Sequence, residues 1–323
     1  MDSCIEQIAN RIKKAKNVLI CTHMRPDGDA FGSAFSLACA LRYLGISYEI
    51  CVESGVPTTL AFVPDIQTVK KSPSVEYDLM IALDCSDVAR LGALSDEFLR
   101  AKRKKIDVIN IDHHVSNTRF ATYNYVRLCA ANCMNVAQLI AYMGAPLDKK
   151  TAEYLLLGLL TDSGNFSHDD VTEETFLLAA QLVKAGADIK AYNDNLFKRQ
   201  SKARAALYAQ TMGKMRYYHE NRFALIVIEK QAMLSTGADE SMTEGFVDFP
   251  LSVDGVEVAA SLLEVNRRQY KVSLRAKSYV DVNKLAATYG GGGHAKAAGC
   301  MLFGEMEDVI DRLSYTVSQY LED

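Results

Sequence analysis

Residues 106–114 read IDVINIDHH, a short apolar run that ends in a carboxylate and two adjacent histidines. Three further runs of this kind, residues 18–22, 48–52 and 79–84, are separated by stretches with helical spacing such as residues 30–44. Buried strands alternating with helices predict an α/β fold with a parallel sheet flanked by helices on both faces. From residue 148 to 216 the pattern is helical, in TAEYLLLGLL (151–160), ETFLLAAQLV (174–183) and ARAALYAQTM (203–212). Extended character returns at 222–229, 256–265 and 270–276, followed by a glycine-rich turn and a final helix near 306–321. The expected layout is a first domain over 1–190, a helical linker over 191–217, and a second, smaller α/β domain over 218–323 across a cleft from the first.

A chain of 323 residues suits two domains rather than one small core. Its 49% hydrophobic and 24% charged residues, with no low-complexity tract, exclude a largely disordered protein. A net charge of −4 argues against coating long duplex nucleic acid, since that affinity scales with the phosphates neutralised. Any nucleic-acid partner should therefore be short. The N-terminus reads as an amphipathic helix followed by a strand rather than a signal peptide, and no apolar run reaches the roughly 18–20 residues of a membrane span. A cytoplasmic location with no membrane partner is expected. Of the eight cysteines, Cys21, Cys39, Cys51 and Cys85 lie in or beside apolar runs and no CxxC occurs, so they read as reduced, buried small hydrophobes. Cys129 and Cys133, the one close pair, flank the start of an expected helix.

The chemistry falls where the strands end. His23 follows the first run, Asp84 ends the third, and Asp112, His113 and His114 end the fourth. In an open parallel sheet these positions share one edge, where ligands bind. The segment THMRPDGDAFGS (22–33) supplies His23, Asp27 and Asp29, with Pro26 and Gly28 bending the chain between them. Either aspartate alone could simply cap the helix starting near Ala30; three donors in seven residues, with partners elsewhere, favour a ligand role. In MIALDCSD (80–87) a carboxylate directly follows a buried strand, and Asp87 is equally well placed as a turn cap. In INIDHHVSN (109–117) adjacent histidines point in alternate directions, so one can bind a metal while the other faces substrate. LLTDSGNFSH (159–168) places Asp162 at the end of a helical run, with His168 a weaker candidate for substrate contact. Carboxylate and imidazole donors without thiolate suit Mn²⁺, Mg²⁺, Co²⁺ or Fe²⁺ better than structural zinc. They are also too many for one ion with open positions; two ions about 3.5–4 Å apart, sharing a carboxylate, would clamp a phosphoryl group and activate water.

Taken together, these segments resemble the four motifs of the DHH phosphoesterase superfamily. GGGGHAKAAG (290–299), preceded by VSLRAK (272–277), resembles the signature of the first subtype of the DHH-associated C-terminal domain. The resemblance implies two divalent ions, Mn²⁺ before Mg²⁺ or Co²⁺, one held by His23, Asp27 and Asp84 and the other by Asp29, Asp84, His113 and Asp162. It makes His114 the catalytic, non-ligand histidine at the phosphoryl group or leaving oxygen, oriented with its neighbours by Asp112. It also assigns Arg275, Gly291, Gly292, Gly293 and His294 to substrate binding. Residues 264–296 carry seven Lys or Arg against two acidic residues, which suits an anion. Length and layout look like the NrnA-type oligoribonucleases, which also remove the 3′-phosphate from adenosine 3′,5′-bisphosphate. Short RNA or nucleotides are then the partners, with a homodimer open. A cyclic-dinucleotide phosphodiesterase, an exopolyphosphatase or pyrophosphatase, and an inactive nucleotide sensor remain alternatives. The segment LCAANCMNVAQLI (128–140) departs from many relatives in lacking small-hydroxyl and acidic residues.

Overall fold

The computed structural model describes residues 2–321, and the chain divides into two compact units, Met1–Arg199 and Gln200–Asp323. That division falls inside the stretch expected to link two domains.

The first unit runs α1 (Asp2–Ile12), β1 (Asn17–Thr22), α2 (Gly28–Tyr43), β2 (Ser47–Cys51), β3 (Leu79–Leu83), α3 (Ser95–Lys104), β4 (Asp107–Asp112), β5 (Tyr123–Val126), α4 (Asn132–Met143), α5 (Lys149–Asp162), α6 (Glu173–Lys184) and α7 (Ile189–Asn193). Its five strands pair in the order β2-β1-β3-β4-β5, all parallel. Four match the expected apolar runs. The fifth, β5, escaped because YNYV buries only Tyr125 at the sheet edge and carries no apolar run. Alternate side chains serve opposite faces: Ile81, Leu83, Ile109 and Ile111 join the core under α1, α2, α4 and α5, and Met80, Ala82 and Val108 join the one under α3. Because every strand is parallel, all five carboxyl ends lie along one edge.

Helices α2 and α5 meet through glycine. A Cβ at Gly32 would sit 2.5 Å from the Tyr154 carbonyl oxygen, and one at Gly158 would intrude on Asp29 Oδ1. Only hydrogen at these two positions allows the backbones to approach this closely.

The second unit runs α8 (Lys202–Met212), β6 (Arg216–Tyr218), β7 (Phe223–Ile228), α9 (Lys230–Thr236), α10 (Asp248–Ser252), β8 (Val258–Asn266), β9 (Gln269–Ala276), α11 (Val282–Ala287), β10 (Gly292–His294), β11 (Ala297–Phe303) and α12 (Met306–Leu321). Its mixed sheet has the order β10-β11-β9-β8-β7-β6, with only β7 and β8 parallel. One face packs Val258, Leu262, Val272 and Leu274 against α11 and α12. The other packs Ile226, Ile228 and Leu263 with Leu207, Met233 and Phe246, so that α8, α9 and α10 cover it over β7 and β8. Three strands went unexpected here. β6 and β10 are three residues each, and AAGCMLF in β11 opens on small residues that mask its alternation. All eight cysteines are free thiols.

Candidate metal centre

The backbone gathers the expected ligands from five places at one edge of the first sheet. His23 follows β1, Asp84 follows β3, Asp112 ends β4 just before His113 and His114, and Asp162 ends α5. Asp27 and Asp29 come from the start of α2. Asp84 adopts a left-handed backbone, φ 53°, as it leaves its strand, a conformation that Asp and Asn tolerate better than most residues. Its side chain is 2% exposed and central to the group: Oδ2 lies 3.5 Å from His23 Nε2 and Oδ1 lies 3.4 Å from His113 Nε2. His113 Nε2 is 3.2 Å from Asp162 Oδ2, and His23 Nε2 is 4.0 Å from Asp27 Oδ2.

Second partners fix how each group presents itself. His23 Nδ1 donates to the Met24 carbonyl at 2.8 Å and His113 Nδ1 to the Cys129 carbonyl at 2.9 Å. A carbonyl only accepts, so in the neutral ring the lone pair sits on Nε2, aimed at Asp84. His114 is held differently, with Nδ1 2.7 Å from Asp112 Oδ1. Asp112 Oδ2 in turn accepts from Asn117 Nδ2 at 2.6 Å. Asp27 caps α2, with Oδ1 accepting from the Asp29 and Ala30 amides at 3.0 Å, and its other oxygen, Oδ2, faces His23. Asp29 Oδ1 accepts from the Cys133 amide at 2.9 Å and Oδ2 from that of Asn132. The first turn of α4 thus steadies it with unpaired helix donors. Asp87 caps the turn after β3, with Oδ1 accepting from the Ala89 amide at 2.8 Å, and its Oδ2 accepts from the Thr118 hydroxyl at 3.2 Å.

The electrostatics are those of negative charge packed too tightly. Burial first, then the Asp84 charge, pushes Asp29 up to about 8. Burial, then Asp29 and Asp84, pushes Asp162 up to about 9. Burial acts to lower His113, but the neighbouring Asp84, Asp29 and Asp162 carry it up to about 10. Burial alone would raise Asp84, yet the imidazoles of His113 and His23 hold it well below the usual carboxylate range. Among the described residues, the clusters able to hold an ion are Asp84 with His113 and His114, His23 with Asp27 and Asp84, and Asp29 with His113 and Asp162, each with donor atoms within 4.8 Å of one another. Asp84 Oδ1 is buried without a hydrogen-bond partner, which is costly unless something else satisfies it. The donor set and this orphaned oxygen fit hard divalent cations.

The second unit brings Arg275, His294 and Gly292 onto one sheet face, while Gly293 falls in the row of Ala298 and Leu274 on the other. Arg275 pairs with Ala297, which pairs with His294, so Arg275 and His294 lie in one cross-strand row. Ser273, Gly299 and Gly292 form the next. This is the face that carries Leu263 and Ala259 on β8; α10 reaches it over β9, and it is open over β11 and β10. Arg275 Nε is 3.4 Å from Asp248 Oδ1. The glycines differ. A Cβ at Gly291 would lie 2.5 Å from Cys300 Cβ, and one at Gly293 would lie 2.6 Å from Ala298 Cα, so close approach to β11 explains both. Gly292 is exposed, and a Cβ there would meet nothing closer than Asn283 Oδ1 at 3.6 Å.

Sequence reasoning missed the residues behind the ligands. Asn117 bonds Asp112, Asn110 and Cys85. Asn135 Nδ2 donates to the Asp112 and Arg127 carbonyls at 3.1 and 3.0 Å, and its Oδ1 accepts from Arg127 Nε at 2.9 Å. The only available signal was an asparagine in or beside an apolar segment, which is too common to single one out. His168 Nδ1 lies 2.7 Å from the Asp162 carbonyl oxygen, and the residue is exposed.

Residues 17–159 match the DHH family, N-terminal domain, and residues 224–323 match the DHHA1 domain. The chain is 31% identical over 310 residues to the bifunctional oligoribonuclease and PAP phosphatase NrnA of Thermus thermophilus, covering 94% of this chain and 90% of that protein. It is 28% identical to a probable NrnA of Streptococcus mutans, covering 96% and 98%. The crystal structure of an exopolyphosphatase-related protein from Bacteroides fragilis superposes with a TM-score of 0.90 at 25% identity, covering 99% of this chain and 97% of that one. On its sequence motifs, its two matched domains and its full-length relatives, the chain belongs to the DHH family of phosphoesterases.

Proposed function

We propose that this enzyme hydrolyses short oligoribonucleotides to mononucleotides and removes the 3′-phosphate from adenosine 3′,5′-bisphosphate, using two divalent ions, Mn²⁺ foremost. The observation that carries the chemistry is Asp84, a buried carboxylate with one oxygen toward each of two imidazoles that present Nε2. The substrate class is supported by similarity along nearly the whole chain to proteins named for both activities. His23, Asp27 and Asp84 would hold one ion, and Asp29, Asp84, His113 and Asp162 the other. When bound, such ions polarise the phosphoryl group and lower the pKa of water.

The chain's own groups supply the rest. Asp112, braced by Asn117, holds the His114 ring through Nδ1–H, and in its doubly protonated form that ring can give the Nε2 proton to the leaving oxygen. Arg275 offers charge-assisted hydrogen bonds to a phosphate, and His294 and the open edge at Gly292 lie in reach of the same ligand. Catalysis is assigned to residues 1–190 and substrate binding to 218–323, joined by 191–217. A cytoplasmic site of action is part of the proposal; no described helix is long and apolar enough to cross a membrane.

Chromatography of reactions with pApA and with adenosine 3′,5′-bisphosphate, in Mn²⁺ and in EDTA, tests the assignment. AMP should appear from both substrates in Mn²⁺ only. The likeness to an exopolyphosphatase-related protein makes polyphosphate the second substrate to try; turnover of polyphosphate without turnover of pApA would replace the proposal.

A further inference from the structure

The open face of the second unit holds polar and charged groups suited to phosphate, but a nucleotide also carries a base. Exposed aromatic rings in that unit are Tyr217, Phe249, Tyr279, Phe303 and Tyr315. Phe249, 43% exposed, directly follows Asp248, whose carboxylate is paired with Arg275. Helix α10 packs over β7, β8 and β9, on the face that bears Arg275 and His294, and so Phe249 stands where the covered half of that face gives way to the open half. Phe303 shares the face but lies six residues further along β11 than Ala297, the residue paired with Arg275. The Phe249 ring is not loose. It stands at 76° to Tyr208 with centroids 5.8 Å apart, and Tyr208 in turn packs at 88° and 5.0 Å against the fully buried Phe246. A ring braced from behind, half open to solvent and beside an arginine, loses little freedom on stacking.

We propose that Phe249 is a stacking platform for a base of the nucleotide whose phosphate Arg275 binds, an inference that rests on the function proposed above. Stacking on an aromatic face tolerates any base, since every base has a π-face. The enzyme would then require a base at this position without selecting which one. That suits a scavenger of short RNA of mixed sequence.

The test uses the full-length protein with Mn²⁺ and a dinucleotide whose bridging ester is replaced by an uncleavable methylenephosphonate, together with two versions that each lack one base. Calorimetric Kd values are compared for wild type, Phe249→Leu and Phe249→Tyr. Removing one of the two bases should weaken wild-type binding by about 5- to 150-fold, the scale of base–aromatic stacking. Phe249→Leu should weaken the intact dinucleotide to a similar extent and leave the version lacking that base unchanged, and Phe249→Tyr should restore binding. Equal weakening of all three ligands by Phe249→Leu would mean that the ring supports the fold, and no dependence of wild-type binding on either base would mean that nothing stacks; either result overturns the proposal. Base-dependent binding without hydrolysis of the natural dinucleotide would sink the proposed activity while leaving the platform standing. Absence of any dinucleotide binding would sink both.

Discussion

Asp112 Oδ1 lies 2.7 Å from His114 Nδ1, so the second histidine of the pair is bonded to a buried carboxylate whereas the first is bonded to a carbonyl. The two rings sit 4.6 Å apart, but only His113 turns Nε2 toward both Asp84 and Asp162. Replacing them should therefore fail in different ways. His113→Ala should weaken Mn²⁺ binding, and His114→Ala should keep the ions but slow turnover by about 10²–10⁴-fold. Manganese titration of both variants decides it, with equal loss of metal from each counting against the division of roles.

Asn117→Ala removes the donor to Asp112 Oδ2 without touching a ligand. We expect kcat to fall by roughly tenfold or more, within the range for groups behind an active residue, with Mn²⁺ stoichiometry and KM for dinucleotide little changed. A change in KM alone would place Asn117 in substrate binding instead.

Asp84→Asn keeps the shape, and Asn is at home in the left-handed backbone found there. The variant should fold normally, yet lose more activity than the roughly 10–100-fold typical of groups behind the ligands, because a neutral amide bridges cations poorly. Retention of a large share of wild-type turnover at saturating Mn²⁺ would remove Asp84 from the centre of the mechanism.

The metal-free protein should become less stable as pH rises. Asp29 and Asp162 keep their protons up to about 8 and about 9 when folded, against 3.8 ordinarily, and His113 keeps its proton up to about 10, against 6.5. The folded state then binds more protons than the unfolded one through this window, so that stability is greatest at its acid end and is lost as pH climbs through the folded values. Asp84, displaced the other way from its ordinary 3.8, contributes stability that is present throughout this window and is lost only in strongly acid solution. Thermal unfolding in EDTA should show Tm falling between about pH 6 and pH 9.5, and saturating Mn²⁺ should flatten the slope by replacing protons. A metal-free Tm that rises across that interval would contradict the packing of charge described here.

Within the glycine run, neighbouring positions should behave oppositely. Gly291→Ala forces a methyl group against Cys300 and should destabilise the protein by about 1–3 kcal/mol. Gly292→Ala has room, and its effect should be confined to nucleotide affinity. Urea unfolding of both variants, beside dinucleotide KM, separates them; equal destabilisation would mean that the edge at Gly292 is as closed as its neighbour.

The parallel sheet was legible because its central strands are buried on both faces and read as unbroken apolar runs. His23, Asp84, Asp112, His113 and His114 were legible because polar residues at the ends of such runs have no packing reason to be there. β5 and β10 were not, since a short edge strand with one or no buried residue leaves no periodic trace. The same limit hid Asn117 and Asn135, whose importance lies in which atoms they reach. The α4 amides that hold Asp29 were equally invisible, because a backbone donor looks alike at every residue.

The hydrogen at Gly158 has a consequence for how the sequence can drift. A methyl group there would press on Asp29 Oδ1 and come within 3.0 Å of Cys133 Cβ, displacing a candidate ligand through a residue that never meets substrate. In a scan of all substitutions, position 158 should thus tolerate as little as a ligand position does. Any homologue with a larger residue at 158 should carry a compensating change in the helix that starts at Gly28 or the one that starts at Asn132.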